Sequence, residues 1–96
     1  MGSCIMIKFL AAALFGVSRK AALKGHASSQ YNLGVMYAKG QGVTQDYVQA
    51  HMWLSLAVAK GEEAARKGRD LVAEKMTAAQ ITEAKRLARE WRPKKP

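Results

Sequence analysis

The side chains that could do chemistry are few and scattered. The chain holds one cysteine, Cys4, and two histidines, His26 and His51. A lone cysteine forms no intramolecular disulfide. With no second cysteine, and with the histidines far apart in sequence, there is no metal-ligand spacing. Cys4 also lacks a nearby histidine that would activate it as a nucleophile. His51 lies one position after Ala50 and two before Trp53. That places it near the buried side of a helix, as a boundary or surface histidine rather than a general base. Glu62 and Glu63 make an acidic pair at a helix start, where the helix dipole favours them without any catalytic role. Gly40-Gln41-Gly42 lacks the lysine and the spacing of a phosphate loop. These groups do not converge as an active site must. The expectation is a non-enzyme with no catalytic residue, no metal and no cofactor.

Charge is the next signal. Lys and Arg number 16 against 7 Asp and Glu, a net +9. Such a balance first describes a solvated surface, and after that an anionic neighbour: nucleic acid, an anionic membrane face or an acidic protein. Basic residues are densest near the C-terminus, where Lys85, Arg86 and Arg89 continue into Arg92, Lys94 and Lys95. Lys85, Arg86, Arg89 and Arg92 are therefore the candidate anion contacts. No nucleic-acid motif accompanies them.

The elements that must position these residues are helical. The two prolines are Pro93 and Pro96, so residues 1–92 carry no helix breaker, and no long alternation of apolar and polar residues points to a strand. Residues 5–17 are apolar apart from Lys8 and too short to cross a bilayer as a helix, which takes about 20 residues. They suit either a secretory signal or a helix packed on the domain. The packed helix is favoured, and with it the bacterial cytoplasm over the periplasm or secretion. Ser28 and Ser29 suit the cap of a helix beginning near Gln30, with Leu33, Met36 and Tyr37 on one face and Gly40 as its C-terminal stop. Thr44 is expected to cap a second helix that ends at Gly61. In that register Asp46 lies in the first turn, and Val43 with Val48 forms a hydrophobic staple. Its face is Tyr47, Ala50, Trp53, Leu54 and Ala57. A third helix over about 62–75 has a weaker face of Ala64, Ala65, Leu71 and Val72, and Gly68 lies inside it. Thr77 and Gln80 spell a capping box, and Met76 with Ile81 a staple. The helix they open carries Ile81, Ala84, Leu87, Ala88 and Trp91 on one face. Helical phase assigns Trp53, Trp91, Met36 and Met52 first to packing.

Lys24-Gly25 and Lys60-Gly61 stand 36 residues apart, and Ala21 and Ala57 share that offset. Between them Gly25, Ala27, Leu33, Gly34, Tyr37, Gly40, Gly42, Val43, Asp46, Tyr47, Ala50, Trp53, Ala57 and Gly61 form a specific combined pattern. The stretch from Ala21 to Gly61 resembles a Sel-one-like repeat, a relative of the tetratricopeptide repeat. The C-terminal helices resemble the closing helices of bacterial members. The resemblance implies an all-α fold, an α/α solenoid fragment of antiparallel helix pairs. It assigns structural repeat positions to Gly34, Tyr37, Gly40, Gly42, Tyr47, Ala50, Trp53 and Gly61. Gly34 and Ala50 would let two helices approach closely, Gly40 and Gly42 would make the turn, and Tyr37, Tyr47 and Trp53 would fill the spaces between helices. Residues 1–18 do not continue the pattern, since Leu14 stands opposite Ala50 and Val17 opposite Trp53. The expected organisation is an apolar or signal-like segment over 1–18, a repeat over 19–61, a capping helix pair over 62–91 and a basic tail over 92–96.

The resemblance further implies a protein-interaction module, an adaptor or scaffold, that binds another protein through the inner face of its helix pair. Asn32, Met36, Lys39, Gln49 and His51 are the expected contacts. Two alternatives stay open. One is electrostatic binding of nucleic acid or an anionic membrane through the C-terminal basic stretch. The other is a homo-oligomer formed through the open apolar ends of the repeat stack.

Overall fold

In the computed structural model, which describes residues 14–93, helices follow one another with short turns and no strand is present among the described residues. Helix α1 covers residues 14–23. It is followed by α2 (Ala27–Lys39), α3 (Tyr47–Ala59), α4 (Glu63–Ala73) and α5 (Ala78–Glu90). The all-α class and the helix-pair plan are those implied by the sequence.

The layout follows from the composition of α3. Its buried residues are Ala50, His51, Met52, Trp53, Leu54 and Ala57. Five consecutive positions leave no polar side, and a helix apolar all round must be enclosed. Helix α3 accordingly packs against α2, α4 and α5. One side of it joins Ala50, Leu54 and Ala57 to Ala65 and Val72 of α4. The other side joins Met52 and Trp53 to Ala22 of α1 and Leu33 of α2, with Leu87, Ala88 and Trp91 closing over them. Helices α4 and α5 bury far less, and their charged faces point to solvent.

The junctions before α2 and before α4 are the same structure. Lys24, Gly25 and His26 donate backbone hydrogen bonds to Ala21, Ala22 and Ala21 at 3.1, 3.0 and 3.3 Å. Lys60, Gly61 and Glu62 donate to Ala57, Val58 and Ala57 at 3.1, 2.9 and 3.0 Å. Each bond of the second set is one of the first displaced by 36 residues. The Lys60 ammonium donates to the Gly25 carbonyl and ties the two turns together. Helix α1 thus stands to α2 as α3 stands to α4, and it runs unbroken across the boundary expected between residues 18 and 19. Its Leu14 and Val17 are 59% and 69% exposed, whereas Ala50 and Trp53, their counterparts on α3, are buried. The rest of the apolar N-terminal segment, Cys4 included, lies outside the described residues.

The helix ends correct two expectations. Helix α2 begins at Ala27 with His26 as its N-cap and no side-chain cap, so Ser28 and Ser29 fall inside its first turn. Gln30 is the buried fourth residue of α2, and its Nε2 donates to the Ala22 carbonyl at 3.3 Å. Helix α3 is capped by Asp46 rather than Thr44, the Asp46 carboxylate accepting from the Gln49 amide at 3.1 Å. The preceding loop decides that choice. The Asp46 amide donates to the Tyr37 carbonyl at 3.0 Å and the Gln45 side chain to that of Ala38 at 2.7 Å. These bonds hold residues 45 and 46 against α2, and the Val43–Val48 staple register does not arise. The capping box of α5 forms as expected, Thr77 and Gln80 bonding reciprocally at 2.9 and 3.2 Å.

Gly68 is not a close-approach glycine. A Cβ there would meet two Leu54 carbons at 3.6 Å, an ordinary contact. Gly68→Ala should therefore recover helix propensity, up to about 1 kcal/mol. A thermal melt followed by circular dichroism should show a higher midpoint than the parent chain.

Candidate functional site

The residues expected to form a contact surface do not share one. Asn32 and Lys39 are exposed and Gln49 is half-buried, but Met36 and His51 are buried and offer little to a partner. Helical phase placed His51 at a boundary. In the fold residues 50–54 of α3 are all buried, and His51 is 3% exposed, with its Nδ1 3.3 Å from the Ser55 hydroxyl. Among the described residues no three His, Cys, Asp or Glu side chains gather as a metal site would require.

Burial lowers the His51 pKa, and the nearby charges of Arg69 and Lys85 lower it further against an opposing contribution from Asp70. The folded state thus holds His51 neutral where the unfolded chain, with its pKa near 6.5, takes up a proton. The stabilisation is complete above that value and is lost as pH falls through the window beneath it. Urea midpoints should drop between pH 7.5 and 5.5, and His51→Gln should flatten that slope.

An open apolar groove lies between α2 and α4. Leu54 of α3 forms its floor, with Gly68 beside it. Val35 and Ala38 of α2 make one wall, and Leu71 and Val72 of α4 the other. Lys39, Lys75 and Tyr47 stand at its rim, and its volume is about 220 Å³. The Lys75 ammonium sits 6.0 Å from the centre of the Tyr47 ring. Leu71, expected on the buried face of its helix, is 62% exposed and is the apolar side chain of the groove most open to solvent. Ala64 is exposed as well, so only Ala65 and Val72 of that expected face are buried.

Of the expected contacts only Lys39 lines the groove. The signal for the others was in the sequence: at the 36-residue offset Lys39 answers to Lys75 and Val35 to Leu71. Two equivalent helices side by side place equivalent residues on facing walls.

The expected anion-contact face is partly spent within α5. Arg86 donates to Glu83 from Nε at 3.0 Å and to Glu90 from Nη1 at 2.7 Å. Those carboxylates hold its guanidinium above its ordinary range, and Arg86 in turn lowers the Glu83 pKa. Arg92 donates to the carbonyls of Arg89 and Trp91 at 3.0 and 2.8 Å. Lys85 and Arg89 are exposed and make no ion pair among the described residues.

Residues 27–62 match the family model described as the Sel1 repeat. The match begins at the first residue of α2 and ends at the N-cap of α4, so it covers one helix pair and its closing turn. Neither the curated proteins nor the solved structures gave a match to this chain.

Proposed function

From the premise that residues 27–62 are a Sel1 repeat, we propose that this chain is a non-catalytic adaptor or scaffold that holds a partner protein in the groove between α2 and α4. Sel1 repeats generally mediate protein–protein interaction. The observation that carries the reading is the groove itself. It is an apolar cleft between two equivalent helices, with Leu71 left open beside buried Leu54 and Val72. Lys39, which lines the groove, is part of the proposed contact surface.

Capture from a nuclease-treated extract of the host, with the tagged chain washed at low and then high salt, tests the reading. A defined protein should survive the high-salt wash and should be missing when Leu71→Asp is the bait. Bound material that leaves with salt, and that depends on Lys85 and Arg89 instead of Leu71, would replace it with electrostatic binding to nucleic acid or lipid.

A further inference from the structure

We propose that the occupant of the α2–α4 groove is an acidic segment of the partner protein, one bulky apolar side chain seated against Leu71 with Asp or Glu on either side of it. This rests on the reading of the groove as the interaction surface and adds the chemistry of what enters it.

Three observations favour that occupant. The first is size. At about 220 Å³ the groove is smaller than the roughly 300–1,000 Å³ of a small-molecule pocket, but it suits a single anchoring side chain of the kind that dominates interface energetics. The second is the sign of the rim. Lys39 and Lys75 both line the groove and no carboxylate does. Neither lysine makes an ion pair among the described residues, and Asp70 of α4 is engaged by Arg69 at 3.8 Å. The third is the support under Lys75. The Tyr47 ring holds its ammonium by a cation–π contact, so the charge is kept at the rim without an internal anion to neutralise it. A segment flanked by Lys or Arg would meet like charge, and complementary potentials are what select partners across an interface. A bare phosphate backbone satisfies the lysines but leaves the exposed Leu71 with nothing to cover it.

Selection from a random-peptide library on the full chain reads the preference directly. Enriched peptides should carry Trp, Phe or Leu with Asp or Glu beside it. A synthetic peptide of that kind, titrated by fluorescence anisotropy, should bind the Lys39→Glu/Lys75→Glu double variant about tenfold or more weakly. It should bind Lys85→Glu/Arg89→Glu about as well as the parent. All four positions are exposed, and circular dichroism checks that each variant folds. Enriched peptides that lose binding to Leu71→Asp but show no acidic preference overturn this proposal and leave the interaction groove in place. Peptides indifferent to Leu71→Asp overturn both, and a library that yields no enriched peptide overturns the proposed occupant.

Discussion

Trp53→Ala is expected to cost about 3–5 kcal/mol, a large part of the roughly 5–15 kcal/mol by which a domain is stable. Trp53 is 5% exposed and lies where α1, α2, α3 and α5 meet, packed with Ala22, Leu33 and Met52. Its ring meets that of Trp91 edge-on, with centroids 5.7 Å apart at 72°, the arrangement in which the positive edge of one ring faces the negative face of the other. Truncation therefore removes a large apolar volume and also the surface on which α5 closes. The indole nitrogen tells a second story. Nε1 is buried and has no hydrogen-bond partner among the described residues, and an orphaned donor is itself costly. Trp53→Phe should accordingly lose much less than Trp53→Ala, because it keeps a ring against Trp91 while removing the orphan. Urea unfolding followed by far-ultraviolet circular dichroism separates the two. Equal losses for Phe and Ala would mean that the full indole outline, and not its apolar bulk, holds this junction.

At the other side of α3, Leu54→Ala should cost about 2–5 kcal/mol, since Leu54 is 1% exposed at the contact between α2 and α4. Gly34→Ala should cost about 1–3 kcal/mol by overpacking. A Cβ at residue 34 would lie 2.7 and 2.9 Å from two Leu54 carbons and 3.2 Å from the Ala50 carbonyl. The first two belong to an enclosed side chain with little room to turn, and the third is backbone. The two losses should not add. Once Leu54 is truncated, the new methyl at residue 34 loses its nearest obstacle and keeps only the Ala50 carbonyl. The double variant should therefore be more stable than the sum of the singles predicts, with a coupling of about 0.5–3 kcal/mol. Strict additivity would show that Ala50, and not Leu54, limits how closely α2 and α3 approach.

The helix-pair architecture was readable because its signals are local: unbroken helical periodicity, a capping box at Thr77, and a glycine stop at Gly40, whose φ of 70° is left-handed. The Sel-one-like pattern was readable for the same reason, being a set of residue types at fixed offsets. What could not be read was decided by tertiary contact. Thr44 and Asp46 are both good caps, and only the bonds from Gln45 and Asp46 to α2 choose between them. His51 was misplaced because helical phase assumes one buried face, whereas residues 50–54 of α3 are all buried. Leu71 was misplaced for the opposite reason: its helix is flanked on one side by a groove that no described element fills. The candidate site was the least legible part, since a groove is defined by what is missing between two helices and periodicity reports only what is present.

The matched turns at residues 21–26 and 57–62 make the chain modular at the level of its gene. A crossover that joins any point in one turn to the equivalent point in the other inserts or deletes 36 residues. It does so without changing a backbone hydrogen bond at the seam, because both sides of the seam already carry the same three bonds. Insertion would set another α2-like helix beside the first and lengthen the groove by one unit, with its own rim lysine. Length, and with it the reach of the binding surface, can thus change in whole steps while the local structure of every junction stays as it is.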